Sequence, residues 1–217
     1  GVGAVDAEEG SGGAGGVGGA GDAIVVDRLT KVYPGGKAAV KGFSIGVPYG
    51  QCFGLLGING AGKTTVLSIL SGEFPATGGR AFLAGKDVFR DSVEVRRVMG
   101  YCPQFDALFE NLTGREHLYM YGRIKGISEK SIKKVVESQI VKMDLVDAAG
   151  RLAGGYSGGN KRKLSVACAM IGNPSIVILD EPSTGMDPVA RRFMWGKISD
   201  ICARGKTSVI LTTHSME

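Results

Sequence analysis

The sequence predicts an α/β fold with a parallel core sheet and a helical insertion. Short, continuous apolar runs at residues 52–57 and 175–179 have the length and composition of strands that are buried on both faces. These runs alternate with helical patterns, and such alternation is typical of parallel sheets because each crossover between strands carries a helix. Residues 105–155 depart from this alternation, since two helical patterns follow each other there.

Each predicted element has its own local signal. Strands are predicted where apolar residues alternate or run together, and Pro34-Gly35-Gly36 turns the chain after the first strand. A capping-box spacing from Thr113 to Glu116 and the pair Asp187-Pro188 indicate helix starts. The predicted strands cover residues 23–33, 40–47, 52–57, 81–84, 98–102, 175–179 and 207–212, and the predicted helices cover 62–70, a segment after 113, 128–143 and 189–202.

Glycine is unevenly distributed along the 217-residue chain, which holds 36 of them. Ten lie in residues 1–21 among Ala, Val and Ser, without aromatic residues or bases, so we predict a flexible Gly-rich linker over 1–22. This linker holds four of the 21 acids and none of the 26 bases, which leaves a formal net charge of +9 on residues 23–217. That segment suffices for one domain with a sizeable core, and no apolar run approaches the length of a transmembrane helix.

Residues 57–64 have the pattern of a phosphate-binding loop, Gly-Ile-Asn-Gly-Ala-Gly-Lys-Thr, between a predicted buried strand and a helix. Glycines let successive backbone N–H groups curve around a polyphosphate, and the helix N-terminus adds the positive end of its dipole. Lys63 can reach the β- and γ-phosphates, and the Thr64 hydroxyl can ligate Mg²⁺. The nucleotide-binding residues predicted here are Gly57, Asn59, Gly60, Ala61, Gly62, Lys63, Thr64 and Thr65.

Two further segments carry groups that suit a nucleotide site. Asp180 and Glu181 follow the strand at 175–179, where Asp180 can hold Mg²⁺ and Glu181 can orient or deprotonate an attacking water. Residues 157–159 (Ser-Gly-Gly) precede a helix and can form a second anion-binding helix N-terminus. One nucleotide needs only one such loop, so we interpret the second as serving another nucleotide across a dimer. The sequence has no Asn-Lys-x-Asp motif, which disfavours guanine nucleotides.

From about residue 24 to its end, the sequence resembles the nucleotide-binding domain of an ABC transporter, motif by motif and in order. The resemblance implies a P-loop NTPase core with a mainly parallel sheet, an N-terminal antiparallel β subdomain and an α-helical insertion subdomain over about 105–170, within a domain over 23–217. The matching positions are Tyr33 for the aromatic that stacks on adenine, Gln104 for the Q-loop, 156–160 for the signature loop, Asp180 and Glu181 for Walker B and the catalytic glutamate, 184–187 for the D-loop and His214 for the switch histidine.

The resemblance also implies the cofactors and the role of each site residue. It implies ATP and Mg²⁺ as cofactors. The implied catalytic groups are Lys63, Gln104, Glu181 and His214, and the implied metal ligands are Thr64, Gln104 and Asp180. The implied nucleotide contacts outside the phosphate-binding loop are Tyr33, Ser157, Gly158, Gly159 and Asp187.

The signature reads Tyr-Ser-Gly-Gly-Asn where the family usually has Leu-Ser-Gly-Gly-Gln, so the Ser-Gly-Gly phosphate contacts are kept. With Cys-Pro-Gln-Phe-Asp-Ala-Leu and Ser-Thr-Gly-Met-Asp-Pro, it resembles the A subfamily of eukaryotic ABC transporters, and their second nucleotide-binding domain more than the first. The resemblance implies an ATPase that powers transmembrane transport of lipids. Its implied partners are a second nucleotide-binding domain and transmembrane domains of the same polypeptide, at the cytoplasmic face of a membrane.

Because Gly1 replaces a starting Met and the family continues past the switch histidine, we expect the natural protein to extend beyond both ends. A soluble ABC ATPase acting on ribosomes or nucleic acid would suit the basic charge, although solvated helix faces explain it more simply and no nucleic-acid partner is expected. A regulatory domain without hydrolysis is disfavoured because Glu181 and His214 are both present.

His117 is predicted to be structural, and Asp187 to serve also as a helix N-cap.

Overall fold

A computed structural model describes residues 21–58 and 60–213 of the chain. Six helices and eight strands occur in these ranges, together with a short 3-10 turn at Ala153–Gly155. In chain order they are β1 (Asp22–Val32), β2 (Ala38–Pro48), β3 (Cys52–Leu56), α1 (Lys63–Leu70), β4 (Gly78–Leu83), β5 (Lys86–Asp87), α2 (Ser92–Val98), β6 (Met99–Cys102), α3 (Gly114–Ile124), α4 (Glu129–Lys142), α5 (Gly158–Met170), β7 (Ile176–Leu179), α6 (Pro188–Ala203) and β8 (Ser208–Thr213).

The strands form two sheets of four strands each. The first has the order β2-β1-β4-β5, and all its pairs are antiparallel. The second has the order β3-β8-β7-β6, and all its pairs are parallel. Because parallel strands end at the same edge of a sheet, the segments after β3, β6 and β7 meet at the carboxyl edge of the second sheet. Lys63, Gln104 and the acid pair at 180–181 lie in those three segments.

The parallel sheet lies between two apolar cores. Ile176 and Ile178 of β7 pack into the core that contains α1 and the antiparallel sheet. Val177 and Leu179 of the same strand pack into the core that contains buried residues of α3 to α6. Successive residues of a strand point to opposite faces, so all four side chains of β7 are buried. This two-sided burial explains why β7 has a continuous apolar sequence instead of an alternating one.

Three helices lie between β6 and β7, which agrees with the predicted helical insertion in the fold. The capping box that predicted α3 is present, because the Thr113 side chain accepts from the Glu116 N–H and the Glu116 side chain accepts from the Thr113 N–H. His117 of α3 is fully buried. Its Nδ1 lies 2.8 Å from the Thr113 carbonyl oxygen, and its Nε2 accepts from the Phe109 N–H at 2.9 Å. The imidazole therefore ties the preceding loop to the helix, a structural role.

Some elements differ from the predicted ones. The sequence analysis did not predict β5 or α2, because β5 has only two residues and Val95 is the only buried residue of α2. The strand β1 begins at Asp22, inside the predicted linker, because Asp22 pairs with Pro48 of β2. Residues 1–20 of that linker lie outside the described residues. Within the described ranges, no helix combines the length and apolar character needed to cross a membrane.

Candidate nucleotide-binding site

The loop of residues 57–64 connects β3 to α1 with two glycines in the left-handed region of backbone space. Gly60 has φ +86° and Gly62 has φ +87°, values that side chains with a Cβ atom rarely adopt. A Cβ atom at Gly62 would lie 2.3 Å from the carbonyl oxygen of Ala39, so glycine is required there. The Lys63 Nζ donates to the Gly57 carbonyl oxygen at 2.5 Å and to the Ile58 carbonyl oxygen at 3.1 Å. The ammonium group therefore lies over the loop.

A cleft of about 220 Å³ opens beside this loop. It brings together predicted residues from four separate segments of the chain: the end of β1, the loop, the segment after β6, and Glu181 of the acid pair, whereas Asp180 is not among its described lining residues. Lys37 and Ala39 also line it, and the sequence analysis missed both because an isolated lysine beside a Gly-Gly turn has no distinctive pattern. The described lining residues are Tyr33, Lys37, Ala39, Gly60, Gly62, Lys63, Thr64, Thr65, Gln104 and Glu181. The predicted Asn59 lies outside the described residues.

Tyr33 is half-buried at one side of the cleft, directly after β1. Its hydroxyl lies 3.3 Å from the Thr65 Oγ1, which ties the aromatic ring to the first turn of α1. The ring also meets Phe74 edge-on, with 6.1 Å between the ring centroids. These two contacts hold Tyr33 beside the phosphate-binding loop, where an aromatic ring can stack on a base.

The acid pair at the end of β7 is buried, with Asp180 1% exposed and Glu181 7% exposed. The Thr212 hydroxyl donates to the Asp180 Oδ1 at 2.5 Å and accepts from the Glu181 N–H at 2.9 Å. Glu181 has φ +51°, an uncommon value for a residue with a side chain, and its Oε2 accepts from the Thr184 hydroxyl at 3.2 Å. The sequence analysis missed Thr212, whose only signal is a polar residue inside an otherwise apolar strand.

Asp180 has one buried carboxylate oxygen, Oδ2, without a hydrogen-bond partner among the described residues. A buried charged oxygen of this kind is costly unless it has a partner, and a cation is a suitable one. The geometry therefore fits the predicted magnesium role of Asp180.

The predicted signature residues lie away from the cleft. Ser157 is the N-cap of α5, and its Oγ accepts from the Asn160 N–H at 3.3 Å. A Cβ atom added at Gly158 or Gly159 would meet no atom within 4 Å, so this helix start is open to its surroundings. Tyr156, at the position where the family usually has Leu, is buried and donates its hydroxyl to the Ala148 carbonyl oxygen at 2.6 Å. Within one chain, the signature loop therefore lies apart from the cleft beside the phosphate-binding loop.

Asp187 is the N-cap of α6, as its sequence position predicted. Its Oδ1 accepts from the Ala190 N–H at 3.0 Å and from the Val189 N–H at 2.9 Å. These backbone hydrogen bonds, the one to Ala190 foremost, hold the pKa of the Asp187 carboxyl below its usual value. Asp187 is not among the described residues that line the cleft, so its contact with a nucleotide stays a prediction. His214 lies outside the described residues.

A family model described as "ABC transporter" matches residues 40–184, a range that includes the phosphate-binding loop, the signature loop and the acid pair. The chain belongs to the ABC transporter family. Its predicted membership is thereby confirmed.

The curated relatives confirm the predicted A-subfamily resemblance. ATP-binding cassette sub-family A member 2 of Rattus norvegicus is 52% identical over 200 residues, which cover 90% of this chain and 8% of the relative. The retinal-specific phospholipid-transporting ATPase ABCA4 of Homo sapiens is 53% identical over 197 residues, which cover 90% of this chain and 9% of the relative. The chain therefore spans less than a tenth of the length of these relatives.

Solved structures confirm the predicted fold class. The ATP-binding subunit of an ABC transporter superimposes with a TM-score of 0.80 at 27% identity, covering 88% of this chain and 79% of the other. An ATP-binding cassette in a dimeric, post-hydrolysis state with ADP and Pi has a TM-score of 0.80 at 21% identity, covering 88% of each chain. At that identity, the second likeness concerns the fold alone.

Proposed function

We propose that this chain binds ATP with Mg²⁺ and hydrolyses it to drive the transport of lipids across a membrane. The observation that carries the proposal is the cleft, which unites Lys63, Thr64, Gln104 and Glu181 beside a glycine-rich loop. Family membership supports ATP-driven transport, and the human relative is named a phospholipid-transporting ATPase. The identity to A-subfamily transporters makes a soluble ATPase acting on ribosomes or nucleic acid the less favoured alternative.

Different residues of the cleft would bind the phosphates and the base of the nucleotide. The loop of residues 57–65 offers backbone N–H groups and the positive end of α1 to the phosphates, and Lys63 adds a full charge. Tyr33 supplies an aromatic face for adenine, held in place through Thr65 and Phe74. Lys37 lines the same cleft and adds a second positive charge.

Mg²⁺ would be held by Asp180, the Thr64 hydroxyl and the Gln104 side chain. When bound, the ion would neutralise negative charge on the phosphates, and phosphoryl transfer depends mainly on such neutralisation and on positioning. The buried Oδ2 of Asp180 supports its place in this ligand set. Thr212 holds the other carboxylate oxygen, so the orientation of the Asp180 side chain is already set.

Glu181 would orient and deprotonate the attacking water. Its backbone N–H bonds to Thr212 and its Oε2 bonds to Thr184, so the side chain is held at the cleft. His214 would contact the γ-phosphate, a role taken from its motif position one residue after β8. Both groups act where charge develops in the transition state.

Hydrolysis would require a second nucleotide-binding domain. Residues 157–159 lie apart from the cleft, and the glycines of this helix start are open to their surroundings, which supports their use against the nucleotide of a partner domain, with Asp187 in the same contact. Transmembrane domains of the same polypeptide would connect through Gln104 and the helical insertion, on the cytoplasmic side of the membrane. Phe105, next to Gln104, is 82% exposed and could contribute apolar contact area there.

The substitution Glu181→Gln in the complete protein tests this function. We expect ATP binding to persist, because Gln keeps the size of the side chain, while phosphate release and lipid translocation fall about 100-fold or more. Glu94→Gln is the matched control, since Glu94 lies exposed on α2. Full turnover by the Glu181→Gln protein in proteoliposomes would contradict the assigned role.

A further inference from the structure

Arg162 of α5 is 2% exposed, which is rare for an arginine. A buried guanidinium is tolerated only where acceptors surround it, because an unpaired buried charge is very costly. Arg162 lies one turn after the start of α5, the helix whose N-terminus carries the signature glycines. The Arg162 side chain therefore connects the signature helix to the segments that supply its hydrogen-bond acceptors.

One group of acceptors comes from the segment that follows β6 and contains Gln104. The Arg162 Nη1 donates to the Pro103 carbonyl oxygen at 2.7 Å, to the Gln104 carbonyl oxygen at 3.2 Å and to the Asp106 Oδ1 at 3.3 Å. The Asp106 Oδ1 also accepts from the Ser165 hydroxyl at 2.8 Å. Since Arg162 and Ser165 are three residues apart on one helix face, α5 holds this segment by two side chains.

The other group of acceptors comes from the acid pair and from Pro182, which follows it. The Arg162 Nη2 donates to the Asp180 carbonyl oxygen and, at 3.0 Å, to the Glu181 carbonyl oxygen. The Nε donates to the Pro182 carbonyl oxygen at 3.3 Å. Glu181 has a strained backbone conformation with positive φ. These hydrogen bonds hold the backbone in that conformation.

Only arginine has the donor arrangement for this set of contacts. The guanidinium presents five N–H donors in a rigid plane, whereas a lysine ammonium has three donors at one point and cannot reach both segments. The side chain of Arg162 thus joins three parts of the molecule: the helix of the signature loop, the Gln104 segment and the catalytic acid.

Given the proposed ATPase function, on which this inference rests, we propose that Arg162 is a positioning residue that couples the two nucleotide sites of the dimer. Through its backbone bonds it keeps Gln104 and Glu181 aligned in this chain's own site. Through α5 it ties them to the helix start that faces the partner's nucleotide. A movement of the signature loop on the partner's nucleotide is thereby transmitted to the catalytic acid of this chain.

The test is Arg162→Lys in the complete protein, assayed for ATP turnover against ATP concentration. We expect kcat to fall about tenfold with KM changed less than about twofold. The coupling also predicts a cooperative ATP dependence for the wild type and a hyperbolic one for the variant. The matched control is Arg115→Lys, which breaks a bidentate pair between Arg115 of α3 and the Glu137 carboxylate of α4, away from the cleft. The control should change the melting temperature alone.

A milder variant, Asp106→Ala, guards against failure of the first variant to fold. It removes the side-chain acceptor shared by Arg162 and Ser165 but keeps the backbone contacts of Arg162, so we expect the same loss of cooperativity with about a threefold fall in kcat. Retention of full kcat and cooperativity by both variants would overturn the coupling role. The Glu181→Gln protein distinguishes failure of the coupling role from failure of the proposed ATPase function. If that protein kept full turnover, the ATPase function itself would be contradicted.

Discussion

Thr212 makes two hydrogen bonds at the carboxyl edge of the parallel sheet. Its one hydroxyl donates to the Asp180 carboxylate and accepts the Glu181 N–H. The first bond orients the proposed metal ligand, and the second satisfies a backbone group in a strained conformation. The side chain is fully buried, so water cannot replace either bond.

We predict that Thr212→Val lowers both stability and activity. The loss of two buried hydrogen bonds should cost about 1–3 kcal/mol, and displacement of the two acids should lower ATP turnover at least about tenfold. Thr207→Val is the matched control, because its hydroxyl donates to the Pro174 carbonyl oxygen at 2.8 Å near the amino end of β8. Thermal unfolding should show a loss for both variants, smaller for Thr207→Val because it gives up one hydrogen bond instead of two. Equal turnover by both would refute the role of Thr212.

At the scale of elements, the N-termini of α1 and α6 differ in whether their first backbone N–H groups remain available to a ligand. The N-cap of α1 is Gly62, which has no side chain to occupy the first N–H groups of the helix. The N-cap of α6 is Asp187, whose carboxylate already accepts from the N–H groups of Val189 and Ala190. The first helix start therefore suits an anionic ligand, while the second is satisfied within the chain.

Asp187 allows its capping role to be separated from its predicted nucleotide contact. We predict that Asp187→Ala lowers the melting temperature, that Asp187→Ser restores most of it because Ser also caps helices, and that both variants lose turnover. Wild-type turnover of the Asp187→Ser protein would show that capping is the whole role of Asp187.

The capping contribution of Asp187 should also depend on pH. Because hydrogen bonds lower the pKa of Asp187 in the folded state, its carboxylate stabilises the fold above the unfolded pKa. That stabilisation is lost as the pH falls through the lowered folded pKa. The difference in melting temperature between wild type and Asp187→Ala should therefore be constant near neutrality and vanish in strong acid.

At the scale of the whole molecule, the two sheets are joined at the edge opposite the cleft. Gly50 lies between β2 and β3 and so connects the antiparallel sheet to the parallel one. Its N–H donates to the Ser208 hydroxyl at 2.9 Å, and a Cβ atom there would lie 2.7 Å from the Gly205 Cα. Two turns thus pack backbone to backbone, which only glycine allows at Gly50.

We predict that Gly50→Ala destabilises the whole domain more than Gly205→Ala does. Both glycines have positive φ, +73° and +68°, so each substitution carries backbone strain of about 1 kcal/mol. A Cβ atom at Gly205 meets open space, whereas one at Gly50 collides with backbone and should cost about 1–3 kcal/mol more. Thermal unfolding measures the difference, and equal melting temperatures would contradict it. ATP affinity of the folded protein should be unchanged, since the contact lies away from the cleft.

Much of the architecture and of the candidate site could be predicted because it depends on local sequence. The apolar run of β7, the glycines and lysine of residues 57–64 and the capping box of α3 act over a few neighbouring residues. Their patterns are therefore visible without knowledge of the rest of the chain. The elements that escaped prediction, α2 and β5, are short and bury little apolar surface, so periodicity has no strong signal there.

By itself, the sequence determined the α/β order, the family resemblance, and the loop and acid pair of the candidate site. Only the tertiary structure decided that Thr212 holds both acids, that Lys37 joins the cleft, and that Arg162 reaches partners up to 59 residues away. The tertiary structure also decided that the signature loop lies apart from the cleft of its own chain. The physical reason is that buried polar groups must find partners wherever the packed fold brings acceptors together, and sequence separation carries no information about that.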